Sequence, residues 1–136
     1  MHSPREIITV ICNGVIEAES FCTDLYRFLH LLDDLYDKDQ AVAAQDLGII
    51  TINVLETFAA NPFFQKHIYT LMPAVRTAIV SWVDSENWKT RSGNDKIASH
   101  VLKSQYHEVF YMVAGIVGGL EHQMHVTRQF REYDWY

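Results

Sequence analysis

Residues 25–37 read LYRFLHLLDDLYD, and this stretch decides the fold class. Leucines and aromatic residues recur in it at spacings of three and four, which is the periodicity of one face of an α-helix. The apolar stripe consists of Leu25, Phe28, Leu29, Leu32 and Tyr36. Since the same pattern extends back to Glu17, we expect an amphipathic helix over about 17–36 that packs this stripe into a core.

The segments on either side of this helix also have helical patterns. Ser3-Pro4-Arg5-Glu6 is a capping box with proline at the first helical position, and it predicts a helix to about Cys12, ending near Asn13-Gly14. The β-branched run over 7–11 leaves a strand open as the alternative. A third helix is expected over 41–60, and the residues expected to face the core are Leu47, Ile50, Val54, Leu55 and Phe58.

The second half of the chain predicts two or three more helices. Asn61-Pro62 provides an N-cap and a first-turn proline, and Pro73 is expected to divide the segment that follows and reaches about Asp84. Residues 87–95 are the clearest loop. A long helix is then expected from Asp95 to beyond Leu120. Its expected buried stripe is Leu102, Tyr106, Val109, Val113, Ile116 and Leu120.

These patterns predict an all-α fold, an irregular bundle of five or six helices. A chain of 136 residues that is 49% hydrophobic is large enough for one core, so we expect a single domain over 1–136. Three prolines and six glycines provide little turn chemistry for a sheet of many strands. The charged and aromatic tail, 128–136, is expected to pack loosely.

Charge and cysteine usage bound the function. A formal net charge of −6 disfavours nucleic-acid binding, which depends on neutralising phosphates with Lys and Arg. No apolar run reaches ~18 residues, so no membrane association is expected. The first residues lack the layout of a signal peptide, and Cys12 and Cys22 fit two free thiols in a reducing compartment. We therefore expect a cytoplasmic protein.

An acidic patch on the helix over 17–36 is the strongest candidate site. Because successive helical residues rotate by about 100°, one face carries His30, Asp33, Asp34 and Asp37. Three carboxylates and an imidazole within two turns predict a metal site for Mg²⁺ or Mn²⁺, which prefer oxygen ligands. The alternative is the solvated polar face that every amphipathic helix needs. In that interpretation Asp34, which points farthest from the apolar stripe, is a surface acid.

The segment Asp33-Asp34-Leu35-Tyr36-Asp37 resembles the D-D-x-x-D motif of the isoprenoid diphosphate synthases, all-helical enzymes that use it to hold Mg²⁺ and diphosphate. The chain is much shorter than that family and has no second aspartate-rich motif, so the family is not assigned. In size it resembles the all-α nucleotide pyrophosphohydrolases better, but their second acidic helix is not evident, since Glu56 and Glu108 stand alone. The pattern as a whole resembles small helical bacteriophage proteins.

Three residues outside the patch complete the set of candidates. Arg76, within an apolar stretch, is a candidate for binding a phosphate or for a structural ion pair. His107 and Tyr111 lie opposite the apolar stripe of the last expected helix and are candidates for proton transfer or exposed bystanders. Gly115, Gly118 and their small neighbours indicate that a helix, a second copy of the chain or a ligand approaches closely, or that a helix ends there.

Two functions remain open at this point. The first is a non-catalytic interaction protein that uses its acidic helix face to bind a basic protein partner, or that forms a homodimer. The second is a divalent-metal-dependent hydrolase of a phosphorylated or nucleotide-like small molecule, with metal on the acidic patch and phosphate on Arg76. No complete catalytic set is evident in the sequence, which favours the first.

Overall fold

The computed structural model describes residues 3–37 and 43–131, and within these ranges it contains α-helices and no β-strand. The helices are α1 (Pro4–Cys12), α2 (Ile16–Asp37), α3 (Ala44–Ile52), α4 (Pro62–Lys66), α5 (Ile68–Trp88), α6 (Asn94–Lys103) and α7 (Tyr106–Phe130). A π-helical stretch, Asn53–Phe58, continues α3. The predicted all-α class is confirmed. Six of the helices have nine or more residues, in agreement with the expected five or six.

The chain divides into two compact units, Met1–His67 and Ile68–Tyr136. The first unit contains α1 to α4, and the second contains α5 to α7. The single domain expected over the whole chain stays a prediction. None of the described helices is both long and apolar enough to cross a lipid bilayer.

Local signals set the bounds of α1. The Ser3 hydroxyl accepts a hydrogen bond from the backbone N–H of Glu6 at 3.2 Å, and Pro4 occupies the first helical position. The helix ends where Asn13 adopts the left-handed conformation, with φ of 50°, and Gly14 follows with φ of 83°. The run over 7–11 is helical, which excludes the strand that its β-branched residues left open.

The core of the first unit lies between α1, α2 and α4. From α2 the buried side chains are Ala18, Phe21, Cys22, Leu25 and Leu29, one helical stripe. Phe21 stacks on Phe64 of α4 with ring centroids 5.3 Å apart. Asn61 holds α4 in place, because its Oδ1 accepts from the N–H of Phe64 while its Nδ2 donates to the carbonyl of Glu17, both at 2.9 Å.

The third helix differs from its prediction. None of the residues in α3 or in the π-helical stretch is buried, so the expectation that Leu47 and Leu55 face the core is wrong. Phe58, half-buried, still reaches the aromatic cluster, with its ring 4.7 Å from that of Phe64. A π-helix bonds from i to i+5, so residues three apart, such as Leu55 and Phe58, no longer share one face.

In the second unit α5 runs through Pro73 without a break, contrary to the prediction. The proline removes one backbone hydrogen bond, but Leu71 before it and Val75 after it are both buried, and this packing outweighs the loss. The helix packs against α6 and α7. Two serine hydroxyls in this region donate to backbone carbonyls: Ser85 Oγ to Trp82 at 2.6 Å, and Ser99 Oγ of α6 to Ser85 at 2.8 Å.

The long helix expected from Asp95 is interrupted twice. Ser104 and Gln105 separate α6 from α7, and the Ser104 hydroxyl bonds to the carbonyl of Val101, a local bond that competes with helix geometry. Within α7, Gly119 has φ of 83° and ψ of −177°, outside the helical region. Leu120, expected in the buried stripe, is 70% exposed.

The chain reverses direction at Gly119. The side chains of Arg131 and Glu108 are hydrogen-bonded although 23 residues separate them, a distance of roughly 35 Å along a straight helix. The two halves of α7 therefore form a hairpin. Its second half buries Val126 and Phe130 completely. Of the tail that was expected to pack loosely, residues 128–130 are helical and Phe130 is buried, and residues 132–136 lie outside the described residues.

Candidate functional site

The acidic patch lies on the last two turns of α2. The side chains of His30, Asp33 and Asp34 are half-buried, and Asp37 ends the helix with a side chain outside the described residues. Among the described side chains, no three His, Cys, Asp or Glu residues come close enough together to hold a metal ion. The Mg²⁺ or Mn²⁺ site that includes Asp37 therefore stays a prediction.

A groove of about 490 Å³ lies between α2 and the segment formed by α3 and the π-helical stretch. We call it the α2–α3 groove. It is lined by Tyr26, Arg27, His30, Leu31, Asp34, Asp46, Ile49, Ile50 and Asn53. Two of the four patch residues, His30 and Asp34, therefore meet side chains of the next helix in one concave surface. Asp34 is not the isolated surface acid that its position opposite the apolar stripe indicated.

The lining residues recur one turn apart on each helix. On α2 the sequence Tyr26, His30, Asp34 advances by four residues each time, so these side chains form one row. The ring of His30 lies against that of Tyr26, with centroids 4.2 Å apart. Burial raises the pKa of the Tyr26 phenol above its ordinary value of 10.0, so this hydroxyl is protonated at neutral pH.

The groove has an acidic end. Asp34 and Asp46 lie on the turns that flank residues 38–43, the link between the two helices. Arg27, the cation of the groove lining, lies two turns back along α2, where it also faces the carboxylate of Asp24. Between the charges lie Leu31, Ile49 and Ile50. The surface thus combines an apolar middle with an acidic end, which suits a ligand that is apolar and locally basic.

Large apolar side chains continue from the groove across α3. Leu47, Ile49, Ile52 and Leu55 are between 44% and 70% exposed. Sequence reasoning placed Leu47 and Leu55 in the core and missed Asp46 and Ile49 as site residues. The signal that could have found them is the run 47–55, where apolar residues surround the helix and leave no polar face. A helix of this composition is normally covered by other apolar groups, so its exposure is unusual.

The other candidate residues belong to the second unit. Arg76 is exposed on α5, in agreement with a position at the polar edge of its helix. His107 is half-buried in the first turn of α7. Tyr111 was expected on a polar face, but it is only 2% exposed, and the guanidinium of Arg131 lies 4.9 Å from its ring centroid. Their roles in phosphate binding and proton transfer stay predictions.

A second cleft, of about 810 Å³, lies beside α1 and α2, and its lining includes Arg5, Asp24 and Arg27. The Oδ2 atom of Asp24 is buried and has no hydrogen-bond partner among the described residues. Desolvation raises the pKa of this carboxyl group, and the nearby Arg27 opposes the shift. Sequence reasoning did not single out Asp24.

Comparison with protein-family models, with curated proteins and with solved structures finds no match to this chain. A function for this chain therefore has to be inferred from the geometry and chemistry of each unit.

Proposed function

We propose that this protein is a non-catalytic interaction protein whose α2–α3 groove binds an amphipathic helix of a protein partner. The partner helix carries leucine-like side chains on one face and Lys or Arg beside them. The observation that carries the proposal is α3 itself, a helix with large apolar side chains and no buried residue. The metal-dependent hydrolase and the resemblance to phage proteins gain no support from the described residues.

The stability of α3 supports this proposal. A helix of nine residues is marginal in water, and most helices in proteins are held by packing an apolar face. Its N-cap, Ala43, provides no side-chain hydrogen bond. A partner that covers Ile49 and Ile52 would add the apolar burial that α3 lacks, at about 25 cal/mol for each Å² removed from water.

The shape and charge of the groove favour a basic helix as the occupant. Lining residues one turn apart on α2 and α3 match the spacing of the anchors on an amphipathic helix. Asp34 and Asp46 would pair with Lys or Arg at one end. A second copy of this chain fits less well, since a two-fold symmetric contact centred here would place these acids against their own copies.

The cytoplasm is the proposed location of this interaction. Cys12 and Cys22 are completely buried and are not joined by a disulfide; the Cys12 thiol donates a hydrogen bond to the sulfur of Cys22 at 3.8 Å. A reducing compartment maintains two adjacent thiols in this state.

Two model peptides test the proposal. They share one leucine face and one length, and their remaining positions are Lys in the first peptide and Glu in the second. Titration of each fluorescently labelled peptide with the protein should give saturable binding of the Leu/Lys peptide alone, and salt should weaken it. Equal binding of both peptides would show that the acidic end of the groove does not select the ligand. No binding of either peptide would refute the proposal.

Charge-matched variants locate the binding surface. Asp34→Lys/Asp46→Lys should weaken binding of the Leu/Lys peptide about tenfold, as expected for two solvent-accessible ion pairs of ~0.7 kcal/mol each. The control is Asp84→Lys/Glu121→Lys, which changes the net charge equally at two exposed sites outside the groove lining. Ile49→Ser should also weaken binding, whereas Val80→Ser, at a similarly exposed residue of α5, should not. Equal effects of control and groove variants would contradict the assignment.

A further inference from the structure

The hairpin in α7 depends on one residue. Of the 25 residues from Tyr106 to Phe130, Gly119 is the one whose backbone leaves the helical region. Its combination of φ and ψ is essentially restricted to glycine. A change of conformation at this residue alone would convert the hairpin into a continuous helix, because both flanking halves are already helical. Gly119 is therefore a hinge of minimal length.

The second half of α7, which we call the C-terminal arm (residues 120–130), is held through side chains. Val126 and Phe130 are completely buried, and Arg131, next to the arm, forms two hydrogen bonds with the carboxylate of Glu108. The guanidinium of Arg131 also covers the ring of Tyr111. The contacts of Arg131 with Glu108 and Tyr111 are made within the second unit. The arm of an identical chain would therefore make the same contacts.

When α7 straightens at Gly119, Arg131 lies 23 residues along one helix from Glu108 of its own chain, a distance of roughly 35 Å. The contacts that the arm makes in the hairpin could then form only with another chain. The extended helix also continues the i to i+4 hydrogen bonding that the reversal interrupts. The cost is the entropy of association, which falls as the protein concentration rises. A short hinge of this kind is the arrangement that favours domain swapping.

We propose that two copies of this chain exchange their C-terminal arms by straightening α7 at Gly119, and so form a swapped dimer through the second unit. The arm of each protomer then buries Val126 and Phe130 in its partner, and Arg131 bonds to Glu108 of the partner subunit. The partner is a second copy of this chain, because the surface that accepts the arm is the one that the arm already occupies in the hairpin. This proposal is independent of the α2–α3 groove, which lies in the first unit.

Size-exclusion chromatography with light scattering, over a series of protein concentrations, tests the proposal with Gly119→Ala. Alanine is strained at positive φ and favours the helix, so the association constant should rise by roughly a hundredfold, tenfold from each protomer. The control is Gly48→Ala, since a Cβ atom at Gly48 meets no atom within 4 Å. A Gly119→Ala variant that remains monomeric at every concentration would overturn the proposal.

Charge exchange distinguishes a swap from any other dimer. Glu108→Arg and Arg131→Glu each place like charges together within a closed hairpin. When the two variant chains are mixed, exchange of the arms joins opposite charges at both junctions, so native mass spectrometry should detect dimers with one chain of each kind. The mixture is prepared with Gly119 and with Gly119→Ala, in case the latter alone does not fold. Only monomers, or a statistical mixture of dimers, would overturn the proposal.

Discussion

The guanidinium of Arg131 forms two hydrogen bonds, of 2.5 and 3.2 Å, with the carboxylate of Glu108, 23 residues earlier in the chain. Both side chains are about half exposed to solvent, so the pair contributes only about 0.2–1 kcal/mol. Burial of Val126 and Phe130 contributes roughly 1.5–3 kcal/mol for each side chain. The ion pair thus fixes the alignment of the hairpin, while apolar burial stabilises it.

The close approach of His122 to Gly118 gives the first prediction. A Cβ atom on residue 118 would lie 2.4 Å from Cδ2 of His122 and 2.6 Å from its Cβ, so rotation of the imidazole alone does not relieve the clash. Gly118→Ala should lower the free energy of unfolding in urea by about 1–3 kcal/mol. Gly48→Ala, within α3 and in open space, should be neutral or slightly stabilising. Equal changes in the free energy of unfolding for the two substitutions would contradict the close approach of His122 to Gly118.

Exposure of α3 gives the second prediction. Leu55→Ser should change the free energy of unfolding by no more than about 0.5 kcal/mol, since Leu55 is 70% exposed. Leu25→Ala, at a completely buried position of α2, should cost about 2–5 kcal/mol. Urea unfolding monitored by circular dichroism measures both. A cost above about 2 kcal/mol for Leu55→Ser would place Leu55 in a core and remove the basis of the proposed groove.

Asp24 gives a prediction about pH. Desolvation raises the pKa of its carboxyl group in the folded protein above the ordinary value of 3.8, so the folded state binds this proton more tightly than the unfolded state does. Ionisation of Asp24 in the folded protein therefore lowers stability as the pH rises from 3.8 through the folded pKa. Asp24→Asn should unfold at a higher temperature than the wild type at pH 7.

The advantage of Asp24→Asn should disappear at a pH below 3.8, where Asp24 is protonated in both states. Asp84→Asn, which removes an exposed carboxylate from α5, controls for the change in net charge. The predicted cause is wrong if Asp24→Asn stabilises the protein equally at both pH values, or if Asp84→Asn has the same effect.

The buried cysteine pair gives the fourth prediction. Burial raises the pKa of the Cys22 thiol well above its usual range, and the neighbouring Cys12 adds to the shift, so little reactive thiolate forms at neutral pH. A thiol reagent such as dithiobis(nitrobenzoate) should label neither cysteine rapidly in the native protein and both in denaturing guanidinium chloride. Labelling of the native protein at the rate of a free cysteine would show that α1 separates readily from α2.

Some features of this protein are determined by local sequence. The bounds of α1 follow from Ser3, Pro4 and Asn13, whose hydrogen bonds and backbone preferences involve only near neighbours. Asn61 likewise caps α4 as expected. The apolar periodicity of 17–36 correctly predicts α2 and the burial of Leu25 and Leu29, on the side that packs against α1 and α4, but Tyr36, also expected in the stripe, is 56% exposed. His30 and Asp34, predicted from sequence to be site residues, both line the α2–α3 groove.

Other features were decided only by the tertiary structure. The apolar periodicity of α3 and the π-helical stretch does not reveal whether another segment covers them. Leu55 is therefore predicted to be a core residue, although it is 70% exposed. The glycines near 118 indicate a close approach, but only the folded chain identifies His122 as the group that approaches Gly118. Caps and turns depend on hydrogen bonds between residues close in sequence, whereas the burial of a side chain depends on which distant segment packs against it. For that physical reason the sequence determined the helices, and packing determined the groove and the hairpin.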